Sequence, residues 1–179
     1  MPGHVVLLRG INVGGVRLAM SDLRAFAEDL GLANPRTYIA SGNLLVEGWK
    51  ASADELEVLL ESKAGDRLGL STSFFARAAK DWSQIIARNP FGAEVVARPA
   101  NVVVMLLKTP LSAADEKTLR AAVTGPERFR AVGRTLYVDF PNGQGRSTLD
   151  RDWSRTGRAP LSTARNWNTV LKLAELVAE

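Results

Sequence analysis

The chain has 179 residues, with 23 lysines and arginines against 19 aspartates and glutamates, one histidine and no cysteine. That length holds one domain or two small ones, and it buries roughly 70% of its unfolded surface, enough to fold without a metal or a disulfide. The lack of cysteine excludes disulfide frameworks, thiolate nucleophiles, zinc ribbons and iron–sulfur clusters, and a lone His4 excludes histidine-pair mechanisms.

Residues 4–9 (HVVLLR) form a nearly continuous apolar run, as expected of a central strand buried on both faces. The start has no basic segment ahead of an apolar one, and Gly10 and Asn12 interrupt the run. No stretch reaches the ~20 apolar residues of a membrane helix, so a cytoplasmic protein with no membrane partner is expected. After a loop over 10–17, Leu23, Phe26, Ala27 and Leu30 recur at helical spacing, and Gly31 stands at the C-cap. Residues 37–41 and 44–47 read as two strands joined by a Gly42-Asn43 hairpin turn. Ser52 with Glu55 forms a capping box opening a helix with Leu56, Leu59 and Leu60 inward. Residues 71–76 (STSFFA) are the next strand. The order β-α-β-β-α-β is that of a ferredoxin-like plait.

Trp82, Ile85 and Ile86 mark a linking helix that stops at Asn89-Pro90. Residues 101–107 predict a strand. Ser112 with Asp115 opens a helix that Gly125-Pro126 ends, and 129–132 pairs with 135–140 across Gly133-Arg134. A short helical or irregular piece follows around Leu149 and Trp153, then a final helix over about 164–177 with Trp167, Val170, Leu171 and Ala174 on one face. The expected fold is α+β: two ferredoxin-like α/β plaits. The first spans 1–78. The second, 79–179, has a linking helix, a β-α-β-β-α unit and an extra C-terminal helix.

Several blocks, in order, carry a family resemblance. They are Leu8-Arg9-Gly10-Ile11-Asn12-Val13-Gly14-Gly15, then Met20 and Leu23, then Thr37-Tyr38-Ile39-Ala40-Ser41-Gly42-Asn43. Asn89-Pro90-Phe91 and Thr163-Ala164-Arg165-Asn166-Trp167-Asn168-Thr169-Val170 follow. Over nearly the whole chain the sequence resembles the family catalogued as domain of unknown function 1697. The resemblance implies a bacterial protein of two ferredoxin-like subdomains, and it implies no reaction. Ala40 stands where the resemblance leads one to expect a longer polar residue.

The chemistry-bearing residues are few. The 10–17 loop joins a strand to a helix; its glycines expose backbone N–H groups, and Arg9 and Arg17 flank it. It fits no nucleotide signature. Either it contacts an anion, or Gly14 and Gly15 simply allow a tight turn. Gly143-Gln144-Gly145-Arg146-Ser147-Thr148 fails as a triphosphate loop, leaving an anion-binding turn or an exposed one. Arg165 reads as a cation in the first turn of the last helix, where it opposes the macrodipole by about 0.3–1 kcal/mol unless an anion shares the site. The alternative is a salt bridge to Asp150 or Asp152, with Trp167 as core. His4 reads as a packed histidine, and the four tryptophans as core or subdomain anchors. Asp54-Glu55 and Asp115-Glu116 belong to helix caps, and neither a metal cage nor a cofactor is implied.

Charge is uneven. Residues 1–89 carry ten basic and ten acidic side chains, and residues 90–179 carry thirteen and nine. Between Arg128 and Arg165 the net charge is +5, all of the cations being arginines. Arginine-rich character of this kind suits phosphate or carboxylate recognition, and it equally suits a solvated surface. The expectation is a binding protein for an anionic ligand, nucleic acid or a phosphorylated metabolite, in a cleft between the plaits. Its contacts are Arg9, Gly10, Asn12, Gly14, Gly15, Ser41, Asn43, Arg146, Thr163, Arg165, Asn166 and Asn168. The alternatives are phosphoryl or acyl chemistry by arginine clamps and backbone donors, with no catalytic residue assigned, or a homo-oligomeric module pairing through sheet edges.

Overall fold

The structure, a computed structural model, describes residues 3–178. Its first half runs β1 (Gly3–Leu8), α1 (Met20–Asp29), β2 (Ala33–Thr37), β3 (Asn43–Glu47), α2 (Ala53–Leu68) and β4 (Phe74–Ala78). The strands form one antiparallel sheet in the order β2-β3-β1-β4. Alternation decides what each face sees. Val6, Leu8, Leu44, Val46, Phe74 and Ala76 meet Leu23, Phe26, Leu56 and Leu60 of the two helices in one core. The opposite parity, Val5, Leu7, Leu45, Phe75 and Arg77, is buried as well. β1 is therefore apolar at nearly every position because both of its faces are dry.

The second half runs α3 (Ala79–Ala87), α4 (Gly92–Ala97), β5 (Val102–Leu107), α5 (Ala113–Ala122), β6 (Arg128–Val132), β7 (Thr135–Asp139), α6 (Leu149–Thr156), β8 (Ser162–Asn166) and α7 (Trp167–Ala178). Its sheet has the order β6-β7-β5-β8, again antiparallel throughout. Val103, Leu107, Phe129, Leu136 and Val138 pack with Leu119, Leu149 and Trp153, and the Trp153 ring meets Phe129 edge-on at 5.0 Å. The protein is thus a mixed α+β molecule with two four-stranded antiparallel sheets.

Three local expectations are corrected. β2 ends at Thr37, so residues 38–42 are a loop and Asn43 opens β3. Ile39 sits at φ +51, which ends the extended run, and Tyr38 N donates to Asn43 O at 3.1 Å to close the loop. β4 starts only at Phe74, leaving the hydroxyls of 71–73 outside the sheet. Most consequentially, residues 162–166 are strand β8, and the last helix begins at Trp167. Arg165 is therefore a strand residue, and the macrodipole argument does not apply to it. β8 pairs with β5 over five positions, and this long-range pairing outweighs the helical look of the segment.

Among the described residues the chain forms two compact units. One runs to Gln84 and includes the chain again from Lys172; the other is Ile85–Leu171. The division falls inside α3 because Tyr137 donates its hydroxyl to Ile85 O at 2.6 Å, tying that turn to β7. The end of α7 joins the first unit because Arg36 Nη2 donates to Leu176 O at 2.7 Å, satisfying a C-terminal helix carbonyl.

Candidate functional site

In the first unit, the loop after β1 and the 38–42 loop are tied together. Asn12, itself at φ +54, donates from Nδ2 to Leu18 O at 3.0 Å and to Ala40 O at 2.7 Å, and its Oδ1 accepts from Leu18 N at 3.0 Å. Asn43, wholly buried, donates to Tyr38 O at 2.8 Å and to Ser41 Oγ at 3.1 Å. Gly42 has φ +83, and a Cβ there would lie 2.5 Å from Ile11 Cδ1. The blocks around Asn12 and Ser41-Gly42-Asn43 do converge, but Asn12, Ser41 and Asn43 spend hydrogen-bonding capacity on holding the two loops. What they leave outward is Arg9, Gly10, Gly14, Gly15 and Arg17, all exposed.

Beside this loop lies a cavity of about 670 Å³ lined by Arg9, Gly10, Val16, Ser71, Thr72 and Ser73, among others. Arg9 N donates to Ser73 O at 3.1 Å, and Thr72 Oγ1 donates to Arg9 O, so the strand end and the 71–73 segment are fixed side by side. Glu61 also lines the cavity, but its Oε1 accepts from Phe74 N at 2.8 Å. The hydroxyl run was hidden in the sequence by the β-prone Phe74-Phe75 that follows it.

The second unit places its expected residues differently. Thr163 and Arg165 are buried in β8; Arg165 Nη1 donates to Ala164 O at 2.7 Å and to Thr163 Oγ1 at 3.2 Å. Burial pushes the Arg165 guanidinium down to about 10, so it remains a cation at neutral pH. Asn166 Oδ1 accepts from Thr169 N at 3.0 Å, an ordinary helix cap, and Asn168 is exposed on α7. Arg146 stands exposed in a short 3₁₀ turn over Gln144–Arg146, while Ser147 Oγ accepts from Leu149 N at 3.0 Å at the start of α6. Asp152, offered as a partner for Arg165, accepts from Thr124 Oγ1 at 2.6 Å and Thr148 Oγ1 at 2.9 Å. The Thr124 hydrogen bond holds its carboxyl below the usual value.

Arg165 has a counterpart that sequence reasoning missed. Arg77 occupies the same place in β4: it lies opposite Val5 of β1, as Arg165 lies opposite Val104 of β5. It too donates to the preceding carbonyl, Ala76 O, at 2.6 Å. Buried Glu57 of α2 lies 3.3 Å from Arg77 Nη1 and accepts from Ala76 N at 2.8 Å. The only signal in the sequence was Glu57 itself, one residue after the inward Leu56 on an amphipathic helix.

Much of the arginine excess is compensated. Arg98 donates to both carboxylate oxygens of buried Asp139, at 2.9 and 2.8 Å, and Arg128 pairs with Asp139 at 2.7 Å and with Glu94. Arg158 lies 3.5 Å from Asp115. Among the described residues, Arg130, Arg146 and Arg155 have neither an ion pair nor a hydrogen bond from the side chain. His4 is packed in β1, where burial lowers its pKa against a smaller opposing effect of Asp81. No group of three or more histidine and carboxylate side chains suited to a metal occurs among the described residues. No helix among them is long and apolar enough to cross a membrane.

A solved structure of a conserved bacterial protein, SP0830 from Streptococcus pneumoniae, is similar in fold. It is 21% identical, covers 98% of each chain and has a TM-score of 0.74. No curated protein matches the chain. The family model described as "Protein of unknown function (DUF1697)" matches residues 1–137, well over half the length, and this chain belongs to that family.

Proposed function

We propose that this protein binds an anionic, phosphate-bearing ligand at the loop after β1. The observation that carries the reading is the cavity lined by Arg9, the positive-φ Gly10, Ser71 and Ser73, beside Thr72, whose hydroxyl is spent on Arg9 O. A guanidinium offers paired donors in a fork matched to phosphate oxygens, and hydroxyls add short donors without further charge. The rigid clip made by Asn12 and Gly42 supports it, because a pre-ordered loop loses less entropy on binding. Gly14, Gly15 and Arg17 extend the same exposed loop. The same reading takes both units as ferredoxin-like plaits, on the strength of their matching strand orders, and places the protein in the bacterial cytoplasm.

The test is a thermal-shift panel of inorganic phosphate, pyrophosphate, mononucleotides, phosphosugars and short oligonucleotides. Ligands that bind the folded state raise the melting temperature. The expected result is stabilisation by at least one phosphate class that disappears in Arg9→Ala and weakens in Ser73→Ala. The Arg9 backbone bonds to 71–73 survive the first change. A steep loss of affinity with salt assigns the ligand to nucleic acid rather than to a metabolite. Stabilisation by no phosphate, or stabilisation unchanged in Arg9→Ala, rejects the site.

A further inference from the structure

We propose that the free edge of β6, in the second unit, is a docking edge for an extended acidic peptide that adds to the sheet as an extra strand. The direction of each backbone group on that edge follows from the bonds of the neighbouring strands. Phe140 N donates to Asn101 O at 2.9 Å, and Leu107 N donates to Arg134 O at 2.9 Å. Even-numbered residues along β7 therefore turn their backbone groups towards β5, and Thr135, Tyr137 and Asp139 turn theirs towards β6. Their partners there are Val132, Arg130 and Arg128. The N–H and C=O groups of Phe129 and Ala131 consequently point away from the sheet. Neither N–H donates a hydrogen bond among the described residues.

Sheet edges are ordinarily blunted; β6 is short and carries Arg128 and Arg130, charges that repel a basic strand and admit an acidic one. Its register with β7 is unbroken over five positions, and it contains no proline. Beside it lies a cavity of about 610 Å³ lined by Phe91, Arg120, Arg128, Phe129, Arg130 and Ala131, together with Glu94 and Glu116. Both carboxylates are already held, Glu94 by Arg128 and Glu116 by Arg120 at 2.7 Å, and Arg130 has no partner.

The cations bracket the edge. Arg128 and Arg130 lie on one face of β6. Arg120 comes from α5 on the other, 4.6 Å over the Phe129 ring. An added strand alternates its side chains between the two faces, so carboxylates of one parity meet uncompensated Arg130 and those of the other meet Arg120, which already holds Glu116. Phe91 and Phe129 are buried beneath these guanidiniums, so the surface offers no exposed ring on which a base stacks. That favours a peptide over single-stranded nucleic acid.

The probes are end-blocked, fluorescein-labelled octapeptides alternating glutamate with valine, threonine or tyrosine, with lysine counterparts as controls. Fluorescence anisotropy on the full chain should show binding of glutamate peptides and none of lysine peptides. Arg130→Glu, an exposed change that spares the core, should weaken binding by about tenfold or more. Ala131→Pro removes an outward donor without removing a ladder bond and should abolish binding. In the unmodified protein, peptide should slow amide exchange at Phe129 and Ala131. The proposal is overturned if no glutamate peptide binds at millimolar concentration, or if lysine peptides bind equally. It also falls if Arg130→Glu leaves affinity unchanged, if protection appears elsewhere than on β6, or if single-stranded DNA displaces the peptide more effectively than a glutamate peptide does.

Discussion

The two units share a strand order and treat their polar groups in opposite ways. In the first, α2 lays Glu57 and Glu61 along β4, where they accept the outward N–H groups of Ala76 and Phe74. On the other edge, β2 slips register between Ala33 and Arg36 and carries Pro35. Both edges are thereby closed to a further strand. In the second unit β6 keeps a regular register, its outward amides stay unused, and Arg130 stays uncompensated beside them. A shared topology thus says little about which surface is available. That is decided by a few polar side chains, and it matches the charge division between a neutral first half and a cationic second one.

The largest effect expected from breaking this contrast is Glu57→Ala. It strips the β4 edge and removes the Glu57 carboxylate from buried Arg77. The expected loss is about 3–5 kcal/mol in denaturant unfolding, with association that grows with concentration. A loss below about 1 kcal/mol would show that the edge carboxylate is dispensable. Next is Gly42→Ala, which forces a side chain into Ile11 at a positive φ and should cost about 2–3 kcal/mol. A neutral outcome would mean that the clipped loops are not rigid. Asn12→Ala should cost about 1–2 kcal/mol through the lost latch. It should also speed amide exchange at Leu18 while leaving β6 unchanged.

The smallest effect is on pH dependence. The pKa of His4 is lowered on folding by burial, so below its ordinary 6.5 the unfolded chain binds more protons than the folded one. Stability is therefore complete above 6.5 and declines as pH falls from 6.5 through the folded-state value. His4→Gln should flatten that part of the profile. A profile identical in the two proteins would remove His4 as its source.

Elements whose signals are local were legible in the amino-acid sequence. The capping box at Ser52-Glu55 is formed as read, with Glu55 N donating to Ser52 Oγ at 3.2 Å and Ser52 N donating to Glu55 Oε2 at 2.9 Å. Ser112 likewise caps α5, accepting from Asp115 N at 3.0 Å. The apolar run of β1 foretold burial on both faces. β8 was not legible: Ser162-Thr163-Ala164-Arg165-Asn166 has no strong strand signal of its own and is extended because β5 offers it a ladder.

The candidate site divides along the same line. Residue types able to meet an anion, the glycines that open the chain after β1 and the charge excess of the second half are all written in the amino-acid order. The fold sets how those groups are spent. It turned Asn12 and Asn43 into latches, buried Arg165 in a strand, brought Ser71, Thr72 and Ser73 beside Arg9, and left the β6 edge open. Caps, turns and hydrophobic period act over a few residues, whereas a hydrogen bond such as Asn12 to Ala40, or a carboxylate laid along a distant strand, is selected by contacts that exist only once the sheet has formed.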